Sequence, residues 1–252
     1  MRLWASLLAV LIAAHAAAIE IVAHRGAKDE TPENTFAAAK RCIELGVDYL
    51  DTDVNMSKDG VFYVIHDLSV ARTTNGTGLL MSLTSTEIDQ LDAGVKFSEK
   101  FKGERVPRLE DYIALVKDKA GIYIDFKTGD LPKLLELLRR AGIDKKCFFW
   151  FVNPTMALKF RELAPDWPLK VNAGTPEEID AAVAKFKCTM IETNVDKVTP
   201  ELRAALAKHG LKLMLKATRD DEAEYREIIA ANPDFANVDY PGKFKALLVD
   251  KR

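Results

Sequence analysis

Residues 49–55 read Tyr-Leu-Asp-Thr-Asp-Val-Asn, and this short run carries the clearest information about the fold. Its aromatic and β-branched residues favour a strand, on which Asp51 and Asp53, two positions apart, point to the same face. Similar short runs lie on both sides of it, each followed by a longer segment with helical periodicity. This alternation is typical of a parallel sheet or barrel rather than a sandwich.

Eight such strand–helix units can be counted, which predicts an α/β fold of the (β/α)8 TIM-barrel type. The strands are predicted at Glu20–Ala23, Tyr49–Asn55, Ile122–Phe126, Lys146–Val152, Leu169–Asn172, Thr189–Thr193, Lys212–Ala217 and Phe235–Asp239. The helices are predicted at Phe36–Leu45, Leu109–Asp118, Leu131–Ala141, Thr155–Leu163, Glu177–Phe186, Glu201–His209 and Glu222–Ala231, with a tail helix from Lys243. The length of 252 residues suits one such barrel, so we expect a single domain over residues 19–252.

Two local signals modify this regular pattern. Thr31-Pro32-Glu33 predicts the start of the first helix, with Thr31 as N-cap and the proline in the first turn. Residues 57–108 separate the second strand from the helix at Leu109, and they contain an additional strand candidate, Val61–His66. We interpret them as an insertion on the face where the barrel strands end, since catalytic loops gather on that face.

Net charge and cysteine content exclude some kinds of partner and site. The formal charge of −2 provides no basic surplus for binding nucleic acid, so a nucleic-acid partner is not expected. The three cysteines, Cys42, Cys147 and Cys188, are odd in number and widely spaced. We therefore predict buried thiols rather than a disulfide framework or a zinc site.

The N-terminus has the pattern of an export signal. Arg2 precedes the apolar run Leu3–Ala14, and small residues suitable for cleavage follow up to Ala18. The alternative, a membrane anchor, is disfavoured because the run is shorter than the roughly 20 residues that span a bilayer. Residues 1–18 are thus predicted to be a cleaved signal peptide, with the protein periplasmic or extracellular and without a stable membrane span.

Three carboxylates meet at the end of two neighbouring predicted strands. Asp51 and Asp53 share one strand face, and Asp125 ends the next barrel strand. Carboxylates held this close repel one another unless a cation separates them, and oxygen ligands alone suit Mg²⁺ or Ca²⁺ rather than Zn²⁺. The alternatives for Asp51 and Asp53 are turn chemistry or a buried ion pair.

Candidate proton-transfer and phosphate-binding residues lie at similar positions. His24 and His66 each end a strand-like run, and histidine exchanges protons near neutral pH. Arg25 and Lys127 follow strand ends and could hold phosphate oxygens. Taken one by one, each of these residues could equally be structural.

Together these residues resemble the glycerophosphodiester phosphodiesterase family. The matching strings, in order, are His24-Arg25-Gly26, Pro32-Glu33-Asn34-Thr35, Asp51-Thr52-Asp53-Val54, Ser57-Lys58-Asp59-Gly60, His66-Asp67, Arg72-Thr73-Thr74-Asn75-Gly76-Thr77-Gly78, Leu91-Asp92-Ala93-Gly94, Arg105-Val106-Pro107-Arg108-Leu109-Glu110, Asp125-Phe126-Lys127 and Asp239-Tyr240-Pro241. The resemblance implies a barrel with a divalent metal, Ca²⁺ or Mg²⁺, that hydrolyses glycerophosphodiesters to glycerol 3-phosphate and an alcohol.

The resemblance also implies roles for individual residues. The catalytic histidines of the family match His24 and His66, and its phosphate-contacting residues match Arg25 and Lys127. Its metal ligands match a set of three aspartates, Asp51, Asp53 and Asp125. The family usually has glutamate at the first and third of these positions, so a tighter cage or a different metal is implied here.

A second departure lies on the seventh predicted strand, where the family commonly has Trp-Thr-Val-Asn and this chain has Lys216-Ala217-Thr218-Arg219. If Met214 faces the barrel interior, alternation makes Lys216 face the mouth, whereas the alternative is an outward lysine along the helix layer. We expect a mouth-facing Lys216 to favour leaving alcohols of negative or polyhydroxyl character.

Two other functions are compatible with the same residues. The chain is also similar to barrel phospholipases of the sphingomyelinase D type, which have aspartate at the third metal position and release a cyclic phosphate without hydrolysing it. The three-aspartate cage and the missing tryptophan also allow a protein that binds metal and phosphodiester without turnover.

Overall fold

The computed structural model describes residues 18–143 and 146–249. The strands are β1 (Glu20–Ala23), β2 (Tyr49–Met56), β3 (Phe62–Val64), β4 (Gly121–Phe126), β5 (Cys147–Phe151), β6 (Lys170–Asn172), β7 (Met190–Thr193), β8 (Lys212–Lys216) and β9 (Phe235–Val238). The helices are α1 (Phe36–Leu45), α2 (Ser85–Ile88), α3 (Leu109–Val116), α4 (Leu131–Ala141), α5 (Pro154–Leu163), α6 (Pro176–Phe186), α7 (Pro200–His209), α8 (Glu222–Ala231) and α9 (Pro241–Val249). The sequence located each of these elements except the short α2, and its predicted ends differ from the observed ones by at most a residue or two.

Eight of the strands form a nearly closed parallel barrel. Hydrogen-bonded neighbours follow the order β5-β4-β2-β1-β9-β8-β7-β6, and β3 pairs with β2 in the antiparallel direction. The remaining gap between β5 and β6 is bridged at Phe149 and Leu169, where the Phe149 N–H donates to the Pro168 carbonyl at 3.0 Å. The predicted TIM barrel is confirmed, and all polar strand ends therefore open onto one face.

The apolar side chains form two layers, one on each side of the barrel wall. The larger layer packs the outer faces of the strands against the helices. A smaller cluster fills the barrel itself and comprises Val22, Tyr123, Phe148, Met190, Met214 and Phe235. The rings of Tyr123 and Phe148 stack at 4.6 Å between centroids. This plug closes the lower part of the barrel, so that polar side chains collect above it.

Residues 57–108 form a layer of their own beside the strand ends. Tyr63, Val70, Leu80 and Ile88 are buried together in a separate apolar cluster. The Tyr63 hydroxyl donates to Asp89 at 2.7 Å and so ties β3 to the segment after α2. This packed segment carries the loop that contains His66.

The start of α1 differs from the sequence prediction. Thr35, not Thr31, is the N-cap, since its hydroxyl accepts from the Ala38 N–H at 3.2 Å. Thr31 instead donates to the Ala27 carbonyl at 2.9 Å within a loop. The local motif was misread because the chain has one further turn before the helix, and Asn34 enters the left-handed region at φ 57° in that turn.

Two remaining predictions concern the N-terminal segment and the cysteine thiols. Residues 1–17 of the predicted signal peptide lie outside the described residues. Across residues 18–143 and 146–249, no helix is both long and apolar enough to cross a bilayer. Cys42, Cys147 and Cys188 are all buried and form no disulfide, as predicted.

Candidate active site

A polar cavity of about 130 Å³ lies where the barrel strands end. It is lined by His24, Arg25, Asp51, His66, Tyr123, Asp125, Lys127, Trp150, Lys170, Asn172, Glu192, Lys216 and Asn237. All but one of the sequence-predicted site residues are in this set, and the exception, Asp53, lies directly beneath it in contact with Lys127. The barrel therefore brings together residues that are far apart in the chain.

The three aspartates form a compact acidic cluster. Asp53 and Asp125 are register partners on adjacent strands, and one carboxylate oxygen from each of Asp51, Asp53 and Asp125 lies within 4.8 Å of the others. No donor among the described residues reaches Asp51 Oδ1 or Asp125 Oδ1, although both atoms are buried. Buried acceptors normally have partners, so the two open oxygens fit a divalent cation held by this cluster.

The protonation of the cluster is set by burial and by mutual repulsion. Burial, together with the neighbouring Asp53 and Asp125 carboxylates, holds the pKa of Asp51 well above its usual range. Burial and Asp53 also raise the pKa of Asp125 to about 6. Burial acts in the same direction on Asp53, but Lys127 and Arg25 outweigh it and lower the Asp53 pKa.

Lys127 and Arg25 surround the acidic cluster with positive charge. Lys127 Nζ lies 2.5 Å from Asp125 Oδ2 and 3.0 Å from Asp53 Oδ1. Arg25 Nε lies 3.5 Å from Asp53 Oδ2, which also accepts from Asn34 Nδ2 at 2.7 Å. Arg25 has a left-handed backbone at φ 63°, and Gly26 follows at φ 108° with no room for a Cβ against Ala38. The tight turn after β1 thus aims the guanidinium back over the strand ends.

His24 is fixed by the carboxylate of the residue that follows the last strand, β9. Its Nδ1 lies 2.6 Å from Asp239 Oδ1, and its Nε2 lies 3.9 Å from Asp51 Oδ2. Burial raises the Asp239 pKa, but hydrogen bonds from His24 and Lys28 outweigh it, so that the pKa falls below its usual value and Asp239 is ionised. An ionised carboxylate only accepts hydrogen bonds, so Nδ1 carries the proton. Burial lowers the pKa of His24, which leaves Nε2 as a proton acceptor on the cavity side.

His66 is held in the same way from within the insertion. Its Nδ1 lies 2.6 Å from Asp67 Oδ1, and Arg72 Nε donates to Asp67 Oδ2 at 2.5 Å. Arg72 also donates to both carboxylate oxygens of Glu33, at 2.7 and 2.9 Å, and thereby links the insertion to the loop before α1. The Arg72 hydrogen bond lowers the pKa of Asp67 to about 2. In both histidines Nδ1 is thus held by an aspartate, and Nε2 is the ring nitrogen left for proton exchange in the cavity.

The strands β6 to β9 form the other wall, which contains residues that the sequence did not single out. The buried Lys170 donates to Glu192 Oε2 at 2.5 Å and to Asn172 Oδ1 at 2.9 Å. Asn237 Nδ2 donates to the second Glu192 oxygen at 3.0 Å. Lys216 lines this wall above Met214, which is in the barrel interior. The mouth-facing alternative for Lys216 is therefore the observed one.

The sequence around these strand ends matches a known protein family. The model of the glycerophosphoryl diester phosphodiesterase family matches residues 24–243, which include every strand end described above. The chain belongs to this family. The resemblance inferred from the motifs is confirmed, and membership makes the chain a phosphoric diester hydrolase.

Family relatives cover most of both chains. The glycerophosphodiester phosphodiesterase of Caldanaerobacter subterraneus subsp. tengcongensis is 34% identical over 230 residues, or 88% of this chain and 94% of that protein. The crystal structure of a glycerophosphodiester phosphodiesterase from Agrobacterium tumefaciens has a TM-score of 0.85 and 38% identity, over 90% of this chain and 99% of that one. A phosphodiesterase from Oleispira antarctica, in complex with the product sn-glycerol-3-phosphate, shares the fold at a TM-score of 0.83 and 23% identity, over 92% and 96% of the chains.

Several residues that contact the predicted site were missed by sequence reasoning, among them Asp239, Asn34 and Glu192. Asp239 and Asn34 lie within matching strings but were given no role, and Glu192 is the penultimate residue of β7 in an unremarkable run. Their common signal is a polar side chain at or after the carboxyl end of a strand, or in a loop that leads away from one. That signal finds Asp239 and Glu192, but the contact between Asn34 and Asp53 depends on the left-handed turn before α1.

Proposed function

We propose that this protein is a metal-dependent hydrolase that cleaves glycerophosphodiesters to glycerol 3-phosphate and an alcohol, with His24 and His66 as the proton-transfer pair. The observation that carries the proposal is the pairing of two histidines, each with Nδ1 at 2.6 Å from an aspartate, around one cavity. General acid–base catalysis needs two such groups with defined tautomers.

The metal belongs at the three aspartates. The buried Asp51 Oδ1 and Asp125 Oδ1 lack donors among the described residues, which supports a cation at this point. Asp51, Asp53 and Asp125 would hold it, and oxygen ligands favour Mg²⁺ or Ca²⁺. When bound, the ion supplies charge neutralisation for the phosphoryl oxygens.

Phosphate binding and proton transfer are assigned to side chains of the protein. Arg25 and Lys127, both on the cavity side of the acidic cluster, bind the phosphate oxygens. In the first step His24 Nε2 accepts the proton of the glycerol 2-hydroxyl, whose oxygen bonds to phosphorus. The bond from phosphorus to the leaving alcohol breaks, and His66 gives that oxygen a proton. Water then opens the cyclic phosphate with the two histidines in reversed roles.

Phosphorus NMR of the purified protein with glycerophosphodiesters and Mg²⁺ or Ca²⁺ tests this proposal directly. We expect glycerol 3-phosphate and the free alcohol as final products. A cyclic phosphate that persists would instead identify the lyase reaction of the sphingomyelinase D type. Binding of the diester in calorimetry without any product would identify a turnover-deficient binding protein.

A second experiment tests the metal assignment separately. We expect chelator to abolish turnover, Mg²⁺ or Ca²⁺ to restore it, and Asp51→Ala, Asp53→Ala and Asp125→Ala each to weaken metal affinity in calorimetry. Asp166→Ala, on a loop away from the cavity, is a suitable control. Metal affinity equal to that of the parent in all three cavity variants would reject the aspartate cage.

Export of the protein is proposed from the sequence of residues 1–18 alone, which has a charged start, an apolar run and small residues at the cleavage site. Expression of the full chain followed by N-terminal mass determination tests it. We expect the mature chain to begin after Ala16 or Ala18. An intact Met1 on the accumulated protein would count against cleavage.

A further inference from the structure

The wall formed by β6 to β9 differs from the rest of the cavity in what it offers a ligand. Its one carboxylate, Glu192, has both oxygens engaged, by Lys170 at 2.5 Å and by Asn237 at 3.0 Å. Asn172 Oδ1 is engaged by Lys170 at 2.9 Å. The acceptor oxygens of Glu192 and Asn172 are therefore already used within the protein, and Asn237 Oδ1, which has no donor among the described residues, is buried.

Two donors of the same wall, on Lys216 and Asn172, have no acceptor among the described residues, whereas Lys170 and Asn237 donate within the wall. Lys216 is half-buried in the cavity, and no carboxylate of the described residues lies within ion-pair distance of its ammonium. The amide nitrogen of Asn172 likewise has no acceptor in residues 18–143 and 146–249. The wall thus presents one ammonium and one amide donor to whatever occupies the cavity beside the phosphate.

The aromatic faces in the cavity are also occupied. Lys170 Nζ lies 4.9 Å from the ring centroid of Trp150, and Lys127 Nζ lies 5.4 Å from the same centroid. Lys170 is also 5.3 Å from the centroid of Tyr123. Quaternary ammonium groups bind by contact with open aromatic faces, and here ammonium groups of the protein already make those contacts.

We propose that Lys216 and Asn172 form the leaving-group subsite of the cavity and select a polyol alcohol, such as glycerol, over a quaternary ammonium alcohol, such as choline. This inference rests on the proposed phosphodiesterase function. A hydroxyl oxygen accepts from either donor, whereas choline brings a positive charge next to Lys216 and no acceptor beyond the scissile oxygen.

The test compares three glycerophosphodiesters that differ only in the leaving alcohol: glycerol, choline and 3,3-dimethylbutanol, the uncharged isostere of choline. Turnover is followed by phosphorus NMR and binding by calorimetry. One hydrogen bond to a charged donor corresponds to about tenfold to a hundredfold in discrimination. We expect at least about tenfold higher kcat/KM for the glycerol diester than for the choline diester, with the isostere between them.

Lys216→Met keeps the length of the side chain and removes its charge, so we expect it to lower the glycerol-to-choline ratio about tenfold. Lys212→Met is the matched control, because Lys212 lies on the same strand, is exposed, and pairs with Asp234 at 2.7 Å outside the cavity. We expect this control to keep the parent ratio.

The outcomes separate the two proposals. Equal kcat/KM for the choline and glycerol diesters in the parent, or an unchanged ratio in Lys216→Met, would overturn the polyol subsite while leaving the phosphodiesterase function intact. No turnover of any diester would reject the proposed function. In that event the calorimetric affinities still decide the subsite, since a polyol site requires tighter binding of the glycerol diester in the parent but not in Lys216→Met.

Discussion

Substitution of Asp239 tests whether its hydrogen bond to His24 Nδ1 contributes to proton transfer by His24. Asp239→Asn keeps the shape of the side chain and removes its charge, while His24 Nδ1 stays within reach of an amide oxygen. The present contact of 2.6 Å joins a partly exposed carboxylate to a largely buried ring. Hydrogen bonds to charged groups contribute about 1.5–3 kcal/mol and neutral ones about 1 kcal/mol, so the substitution should remove about 1–2 kcal/mol.

This loss converts to a roughly 5- to 30-fold decrease in kcat/KM if it falls on proton transfer. We expect the decrease in kcat with little change in KM, because Asp239 lies outside the set of cavity-lining residues. The assay is steady-state turnover of a glycerophosphodiester, with metal affinity and thermal unfolding measured in parallel. Asp234→Asn, at the opposite end of β9, is the control for removing a carboxylate near this strand.

Two results would refute the reasoning about Asp239. Parent-like kcat in Asp239→Asn would show that the charge does nothing for His24. A loss of activity that is matched by weaker metal binding or a lower unfolding midpoint would show a structural role, since Asp239 also pairs with Lys28 and its N–H donates to Asp220 at 2.8 Å.

Three further predictions follow from the same contacts. His24→Ala and His66→Ala should each reduce turnover about 10²- to 10⁴-fold with unchanged circular dichroism, and near-parent rates in either variant would make that histidine structural. Asp51→Asn should weaken metal binding in calorimetry but change the unfolding temperature of the metal-free protein little, because it relieves repulsion within the acidic cluster. Strong destabilisation of the metal-free variant would contradict this. The pKa of Asp67 is lowered to about 2 by Arg72, so its contribution to stability is present above its usual pKa and is lost as the pH falls toward 2. Asp67→Asn should therefore lower the unfolding midpoint at pH 5 but hardly at pH 2, and equal shifts at both would disprove the linkage.

The barrel could be predicted from the sequence because it depends on periodicity. Each strand is a short apolar run between longer helical runs, and alternation along β8 correctly puts Met214 inside and Lys216 at the mouth. The same rule brings Asp51, Asp53 and Asp125 together, since parallel strands end on one face. These are regularities of secondary structure, which a single sequence contains.

The contacts that orient the site residues could not be predicted in the same way. The bond between His24 and Asp239 joins residues at opposite ends of the chain, and its length depends on how β1 and β9 close beside each other. The misread start of α1 had a local cause, because Thr31 and Thr35 both precede helix-like residues and only the loop geometry decides between them. Pairing partners across the barrel are a tertiary property, which local patterns do not specify.

The barrel wall has fewer inter-strand hydrogen bonds between β5 and β6 than between β2 and β4. One bridge, Phe149 to Leu169, joins the two strands, whereas β2 and β4 pair over six consecutive residues. The wall can therefore widen there with few hydrogen bonds broken, between Trp150 and Lys170, while β5 remains paired over five residues with β4, which carries Asp125. Such widening would separate Trp150 from Lys170 without breaking the ladder between β2 and β4, the two strands that carry the three aspartates.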